Sequence, residues 1–239
     1  EQEPALHLKQ LSVLNDRHLP AIQDLTLSVY PGEIVGIAGV DGNGQRELEE
    51  AIIGLRQPER GEIGWQGELA HIPSDRYSMG LLTDFTVAEN LVLKDVNHPP
   101  FSWRGFLRPA TILSHATALI QRFLIRTPSA KTRAGKLSGG NAQKVIVARE
   151  LTRHHQVILA AQPTRGVDIG ATEFVHAQLR ARRDAGAGIL LISTELDEIL
   201  SLSDRIAVLY EGQILEILPA AQANVNDLGL RMAGKRVTP

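Results

Sequence analysis

Gly39-Val40-Asp41-Gly42-Asn43-Gly44-Gln45-Arg46 follows the short run Glu33-Ile34-Val35-Gly36-Ile37-Ala38 and precedes a helical pattern. The run before it is apolar and partly β-branched, as a strand buried on both faces should be. Between such a strand and a helix, glycines let backbone N–H groups wrap phosphate oxygens, and the helix N-terminus favours an anion. The pattern that does this is G-x-x-x-x-G-K-[ST], in which Lys reaches the β- and γ-phosphates and the hydroxyl holds Mg²⁺. Gly39 and Gly44 stand at the pattern's two glycines, with Gly42 between them, but Gln45 replaces the Lys and Arg46 the Ser or Thr. The cradle is kept while the fixed cation and the metal ligand are lost. Standing alone, the segment also reads as a tight turn.

Working outward, Ala5 to Val13 and Ile22 to Val29 alternate apolar and polar positions around Asn15-Asp16-Arg17, which predicts two antiparallel strands. Val157-Ile158-Leu159-Ala160, Gly188 to Ile192 and Ile206 to Leu209 are apolar runs separated by helical stretches, the pattern of a parallel sheet packed with helices. Between about Tyr77 and Lys136 the buried-strand signal gives way to helix signals: Thr86-Val87-Ala88-Glu89 has capping-box spacing, and Pro109 to Phe123 predicts a helix. This reads as an inserted helical subdomain. Its aromatics, Phe85, Phe101, Trp103, Phe106 and Phe123, are expected to form the insert's own small core, the alternative being that some face a partner. Arg231 to Pro239 reads as a loose, mildly basic tail.

The chain has 239 residues, enough for one large or two small domains. It has no Cys, which excludes a disulfide scaffold, thiolate metal ligands and a thiol nucleophile. A net charge of -2 gives no overall footprint for a nucleic-acid binder. The longest stretch without Asp, Glu, Lys or Arg, Pro109 to Gln121, is too short and too polar to span a bilayer. With no Cys to mark an oxidising compartment, cytoplasm is the expected one; Glu1-Gln2-Glu3-Pro4 lacks the features of a signal peptide, and the missing initial Met points to a trimmed chain.

A second constellation is Leu137-Ser138-Gly139-Gly140-Asn141-Ala142-Gln143-Lys144, just before the helical run Val145 to Leu151. Ser138 is a good N-cap, and two glycines leave the first N–H groups of the helix open to an anion. Leu-Ser-Gly-Gly-x-x-Gln resembles the signature of ABC-type ATPases. It lies after a helical stretch and shortly before an apolar strand, and that strand is followed by Ala161-Gln162-Pro163-Thr164-Arg165-Gly166-Val167-Asp168, similar to the family's Walker B and D-loop segment with Asp168 as the matching Asp. The resemblance runs from about Ala5 to Leu218. It implies a P-loop ABC-ATPase fold of the α/β class, with a mainly parallel sheet core, an antiparallel β portion and a helical insert at about residues 77–136 within a single nucleotide-binding domain.

Pro73-Ser74-Asp75-Arg76, Gln162-Pro163-Thr164-Arg165-Gly166 and Leu202-Ser203-Asp204-Arg205-Ile206 narrow the resemblance. They look like the second ATPase half of tandem proteins that power import of simple sugars and nucleosides, in the branch working with a basic-membrane-protein-type receptor. Ser74 and Ala142 depart from the usual Glu and Gln. By this resemblance, Gln45 replaces the phosphate-holding cation, Arg46 and Ala161 the Mg²⁺ ligands, Gln162 the carboxylate beside the attacking water, and Thr194 the switch histidine. Phosphoryl transfer to water needs those groups, so the chain's own site is expected not to hydrolyse ATP and to have no resident metal, with ATP binding there weak at most and left open. Leu137, Ser138, Gly139, Gly140 and Gln143 would instead act in trans, closing over ATP and Mg²⁺ held by a companion half with intact Walker motifs, with Gln143 supporting the start of the helix.

The implied partners are that half, membrane-spanning permease subunits and, indirectly, a solute-binding receptor. The implied place is the cytoplasmic face of the membrane. A soluble non-transport ABC-type ATPase and a catalytically dead nucleotide-sensing module remain the alternatives. Three further features are expected at the surface: His154-His155, the charge-dense Arg180 to Asp184, and Glu195 with Asp197-Glu198 decorating a helix start.

Overall fold

The computed structural model describes residues 2–234. Along the chain run β1 (Leu6–Leu14), β2 (Pro20–Val29), β3 (Ile34–Ala38), α1 (Gln45–Ile52), β4 (Arg60–Trp65), β5 (Leu69–Ile72) and α2 (Val87–Val92). Next come the short strands β6 (Ser102–Trp103) and β7 (Phe106–Leu107), then α3 (Pro109–Arg122), α4 (Gly139–Leu151) and β8 (Val157–Ala161). The chain continues through α5 (Ile169–Asp184), β9 (Gly188–Ser193), α6 (Leu196–Leu202), β10 (Arg205–Tyr210), β11 (Gln213–Pro219) and α7 (Val225–Met232). Two compact units result. Of the described residues, one gathers 2–71, His155–Gln162 and 179–234; the other holds Ile72–His154 and Pro163–Gln178.

In the first unit, a six-stranded sheet has the order β11-β10-β3-β9-β8-β5, and a three-stranded antiparallel sheet the order β2-β1-β4. β3 pairs in parallel with both β10 and β9, and β9 with β8, while β11 runs antiparallel at the edge. The apolar runs sort themselves by burial: every residue of β3, β8 and β9 is buried, whereas β11 alternates between half-buried and exposed. A strand covered on both faces can carry no polar stripe, which is why these runs lack alternation. The antiparallel pair expected from the first 29 residues is β1 and β2, with Leu6 opposite Val29 and Leu8 opposite Leu27. The Asn15 side-chain oxygen shapes their turn by accepting the N–H groups of Arg17 and Leu19. Leu6, Leu8, Leu11, Leu25, Leu159 and Ile192 belong to one buried cluster, so the two sheets share a core.

In the second unit, α2 begins with the expected capping box: Thr86 Oγ1 accepts the Glu89 N–H at 3.2 Å, and Glu89 Oε2 accepts the Thr86 N–H at 2.7 Å. Pro109 opens α3, where its missing N–H costs nothing. The carboxylate of Glu150 is fully buried and meets Lys94 Nζ at 2.6 Å and Arg149 Nε at 2.8 Å. Burial would raise its pKa, but the two cations and their hydrogen bonds outweigh burial and hold it below the usual Glu range.

Several local expectations are corrected. Phe101 and Phe123 are buried, but Phe85, Trp103 and Phe106 are exposed, so the aromatics do not form one core. Trp103 and Phe106 face each other across the tight hairpin β6–β7, too short to fold back over itself. His155 is buried rather than solvated, because it follows α4 at the start of the segment that enters the sheet, near Glu68. Glu198 is also buried: it lies one turn before Leu202 on the inward face of α6. Arg182 and Arg183 at the end of α5 reach the His155 carbonyl and Asp204. Arg231 and Met232 end α7, with Met232 buried, so the loose tail does not start at Arg231; residues 235–239 lie outside the described residues. No helix among the described residues is long and apolar enough to cross a membrane.

A carboxyl whose pKa is lowered by folding adds stability that is complete above its unfolded value, about 4.3, and is lost as pH falls through the folded value. Lys94→Met is therefore expected to lower the unfolding free energy at neutral pH by about 1–3 kcal/mol. The difference from the parent chain should shrink in acid below the carboxylate range, as read by urea unfolding at both pH values.

Candidate functional site

The site in the first unit is placed by strand register. Ala38 of β3 pairs with Ser193 of β9, and Ala161 of β8 pairs with Ile192. The residues that follow these strands, Gly39, Gln162 and Thr194, therefore stand together at the carboxyl edge of three adjacent strands, where open α/β sheets bind ligands. The turn from β3 into α1 needs Gly44 at φ 100°, and a Cβ there would lie 2.3 Å from the Ala21 carbonyl oxygen. Asn43 anchors the loop: its backbone oxygen accepts the Gly212 N–H at 3.2 Å, its side-chain oxygen accepts the Glu211 N–H at 2.8 Å, and its amide donates to the Val40 carbonyl at 3.2 Å.

Gln45 turns back into this loop. Its side chain is 8% exposed; Oε1 accepts the Asn43 N–H at 3.0 Å and Nε2 donates to the Val40 carbonyl at 2.8 Å. A carboxamide oxygen thus takes up a loop N–H of the kind that a phosphate oxygen would use. Arg46 points elsewhere, its exposed guanidinium pairing with Glu50 at 2.7 Å and lying 3.9 Å from Asp16. Its charge serves the surface of α1 rather than the loop. Val40, Asp41 and Gly42 form the exposed rim of the loop. Opposite, Gln162 takes a left-handed backbone, φ 46°, while its N–H extends the sheet to the Ile192 carbonyl at 2.7 Å. Its Oε1 accepts from Thr194 Oγ1 at 3.3 Å and from the Thr194 N–H at 3.4 Å. Ala161 is buried and offers no ligand. The side chains at positions 45, 46, 161, 162 and 194 include no carboxylate, so this donor set does not fit a Mg²⁺ ion, which binds hard anionic oxygens.

The second unit carries the other candidates. Ser138 occupies the N-cap position of α4, but its hydroxyl caps no backbone N–H; it accepts from Asn141 Nδ2 at 2.9 Å. That leaves the helix N-terminus uncapped by its own side chain. Asn141 in turn accepts the Arg126 N–H at 2.7 Å. Gln143 is buried, and its Nε2 has no hydrogen-bond partner among the described residues, while Asn141 links Ser138 to the backbone at Arg126. Leu137 is buried just ahead of the cap. Asp168 Oδ1 accepts the Ala171 N–H at 2.9 Å, and its Oδ2 lies 2.8 Å from where a Cβ at Gly140 would stand, so a side chain at 140 would displace the Asp168 carboxylate.

Arg76 went unassigned in the sequence beyond marking a family branch. Its Nη1 donates to the Gly139 carbonyl at 2.9 Å and its Nη2 to the Arg165 carbonyl, so one guanidinium holds the start of α4 and the segment leading to Asp168. Asp75 caps the turn that begins at Arg76: Asp75 Oδ1 accepts the N–H groups of Ser78 and Tyr77, and those bonds hold its carboxyl below the usual range. The Asp-Arg pair beside a turn was the available signal. Its targets, 63 and 89 residues away, were not.

The fold and the two glycine loops define an ATP-binding cassette, and comparison with known proteins agrees. The ABC transporter family matches residues 22–165, and the chain belongs to that family. It is 45% identical over 243 residues to the guanosine import ATP-binding protein NupO of Bacillus subtilis (strain 168), covering 96% of this chain and 48% of that protein. It is 41% identical over 250 residues to the nucleoside import ATP-binding protein NupA of Lactococcus lactis subsp. cremoris (strain MG1363), covering 99% of this chain and 49% of that one. The chain thus spans about half the length of the relatives it matches. A solved ATP-binding subunit of an ABC transporter superposes with TM-score 0.79 at 22% identity, covering 96% of this chain and 99% of its own.

Replacing Gln45 by Met keeps the volume and deletes both loop bonds, leaving the Asn43 N–H without its acceptor. This is expected to cost about 1–3 kcal/mol of folding stability, measured by urea unfolding.

Proposed function

We propose that this chain is the second nucleotide-binding domain of a tandem ABC importer for nucleosides or simple sugars, one domain with a helical subdomain at about residues 77–136. Its own phosphate loop is degenerate and does not hydrolyse ATP, while its signature, Ser138 to Gly140 with Leu137 and Gln143, completes the ATP and Mg²⁺ site of a companion half. Asp168 lines the same face. The single observation that carries this reading is the contrast between the two loops. Gln45 closes one upon itself with the hydrogen bonds of its side-chain amide, whereas the other presents a helix N-terminus whose Ser138 leaves the first N–H groups uncapped.

Chemistry supports the division. Losing one electrostatic stabiliser typically costs about 10²–10³ in rate, and such losses do not simply add. Here Gln45, Arg46, Ala161, Gln162 and Thr194 depart together from the residues that hold phosphate, metal and water. The two nucleoside-import relatives support nucleosides as the cargo class and imply permease subunits, a solute receptor and a location on the cytoplasmic face of the membrane.

The chain alone is expected to show no MgATP hydrolysis above background. In the assembled transporter, Ser138→Arg should lower ATPase activity by about 10²-fold or more, with uptake falling in parallel. Steady hydrolysis by the chain alone that disappears in a Gln162→Ala variant would refute the degenerate-site reading; unchanged activity in Ser138→Arg would refute the role in trans.

A further inference from the structure

The hairpin β6–β7 projects from the second unit on a fixed base. Phe101 is buried with its ring edge-on to His115 at 4.9 Å between centroids, and the Arg108 N–H donates to the Phe101 carbonyl at 2.8 Å. Beyond that base the chain turns sharply at Arg104 and Gly105, both with positive φ, and displays Trp103, Phe106 and Leu107 at 62%, 79% and 55% exposure. Large apolar side chains grouped at one tip mark a contact surface. Arg104 and Arg108, both exposed, flank them.

Charge identifies the contact. Between Val96 and Ala148, leaving out the buried Arg149–Glu150 pair that follows, lie eight of the chain's 25 Lys and Arg and none of its 27 Asp and Glu. The near-neutral net charge conceals a strongly basic segment with the apolar tip inside it. A permease loop is a poor complement, because cytoplasmic loops of membrane proteins carry their own excess of Lys and Arg. The anionic headgroups of the cytoplasmic leaflet are a good one, and Trp favours the headgroup level, where its ring is half wet.

We propose that the Trp103–Leu107 hairpin is a membrane-surface contact. Trp103, Phe106 and Leu107 seat among the headgroups of anionic phospholipid, while Arg104 and Arg108 pair with lipid phosphates. Three apolar side chains and two cations make a shallow, reversible contact, not an anchor. It supplements whatever holds the chain to a permease and does not depend on nucleotide.

The two tryptophans provide the test, because Trp65→Phe leaves Trp103 as the sole indole. With vesicles of equal parts phosphatidylglycerol and phosphatidylcholine, Trp103 emission is expected to shift to the blue, and added salt should reverse the shift. Pure phosphatidylcholine vesicles should leave it unmoved. Arg104→Gln should weaken partitioning about fivefold, the worth of one near-surface cation, and Phe106→Ser should weaken it further; both should melt like the parent because both side chains are exposed. No shift with anionic vesicles, or an equal shift with neutral ones, overturns the proposal. So does a blue shift that follows protein concentration without vesicles, which would assign the tip to a second copy of the chain.

Discussion

Three parallel strands buried on both faces, β3, β9 and β8, set the terms for the rest of the molecule. Burial leaves no room for polar side chains along their length, so every functional group must wait until a strand has ended. Because the strands are in register, they end together. Gly39, Thr194 and Gln162 are consequently neighbours although more than a hundred residues separate the first from the last. The location of the site follows from this packing; its chemistry depends on what the sequence places there.

Neutral amides and a hydroxyl stand there. An amide carries both a donor and an acceptor, so it can satisfy a loop from within, as Gln45 does between Asn43 and Val40. Gln162 and Thr194 behave likewise, each meeting the other's polar atoms. A lysine or a carboxylate in such a place would carry a buried charge needing a counter-ion, which in a working site the nucleotide and metal supply. The loop is internally complete, and its tie to the turn between β10 and β11 through Asn43 adds to that completeness.

Much of this was legible in the sequence because it is local. The unbroken apolar runs of β3, β8 and β9, the Thr86 and Glu89 capping box, Pro109 at a helix start and the glycine pattern at residues 39–44 each declare themselves within a few positions. What escaped depended on distance or on rotamer. The side-chain direction of Gln45 is a rotamer choice between solvent and loop, and residue type alone permits either. Arg76 joins carbonyls that the fold alone brings within reach. His154 and His155 look alike in sequence, yet only His155 is buried. The strands β6 and β7 have two residues each, too few for any period to register.

Arg76 has an effect apart from fastening two carbonyls together. A neutral amide could make similar hydrogen bonds, but a guanidinium brings a full positive charge. Lodged against Gly139, that charge adds to the partial charge at the start of α4, where backbone N–H groups already point outward. The Asp168 carboxylate stands on the other side of the same glycines, beside Gly140, so opposite charges flank the start of α4. The side chain that fastens this corner therefore also offsets the carboxylate next to it, and shape and charge balance are adjusted together.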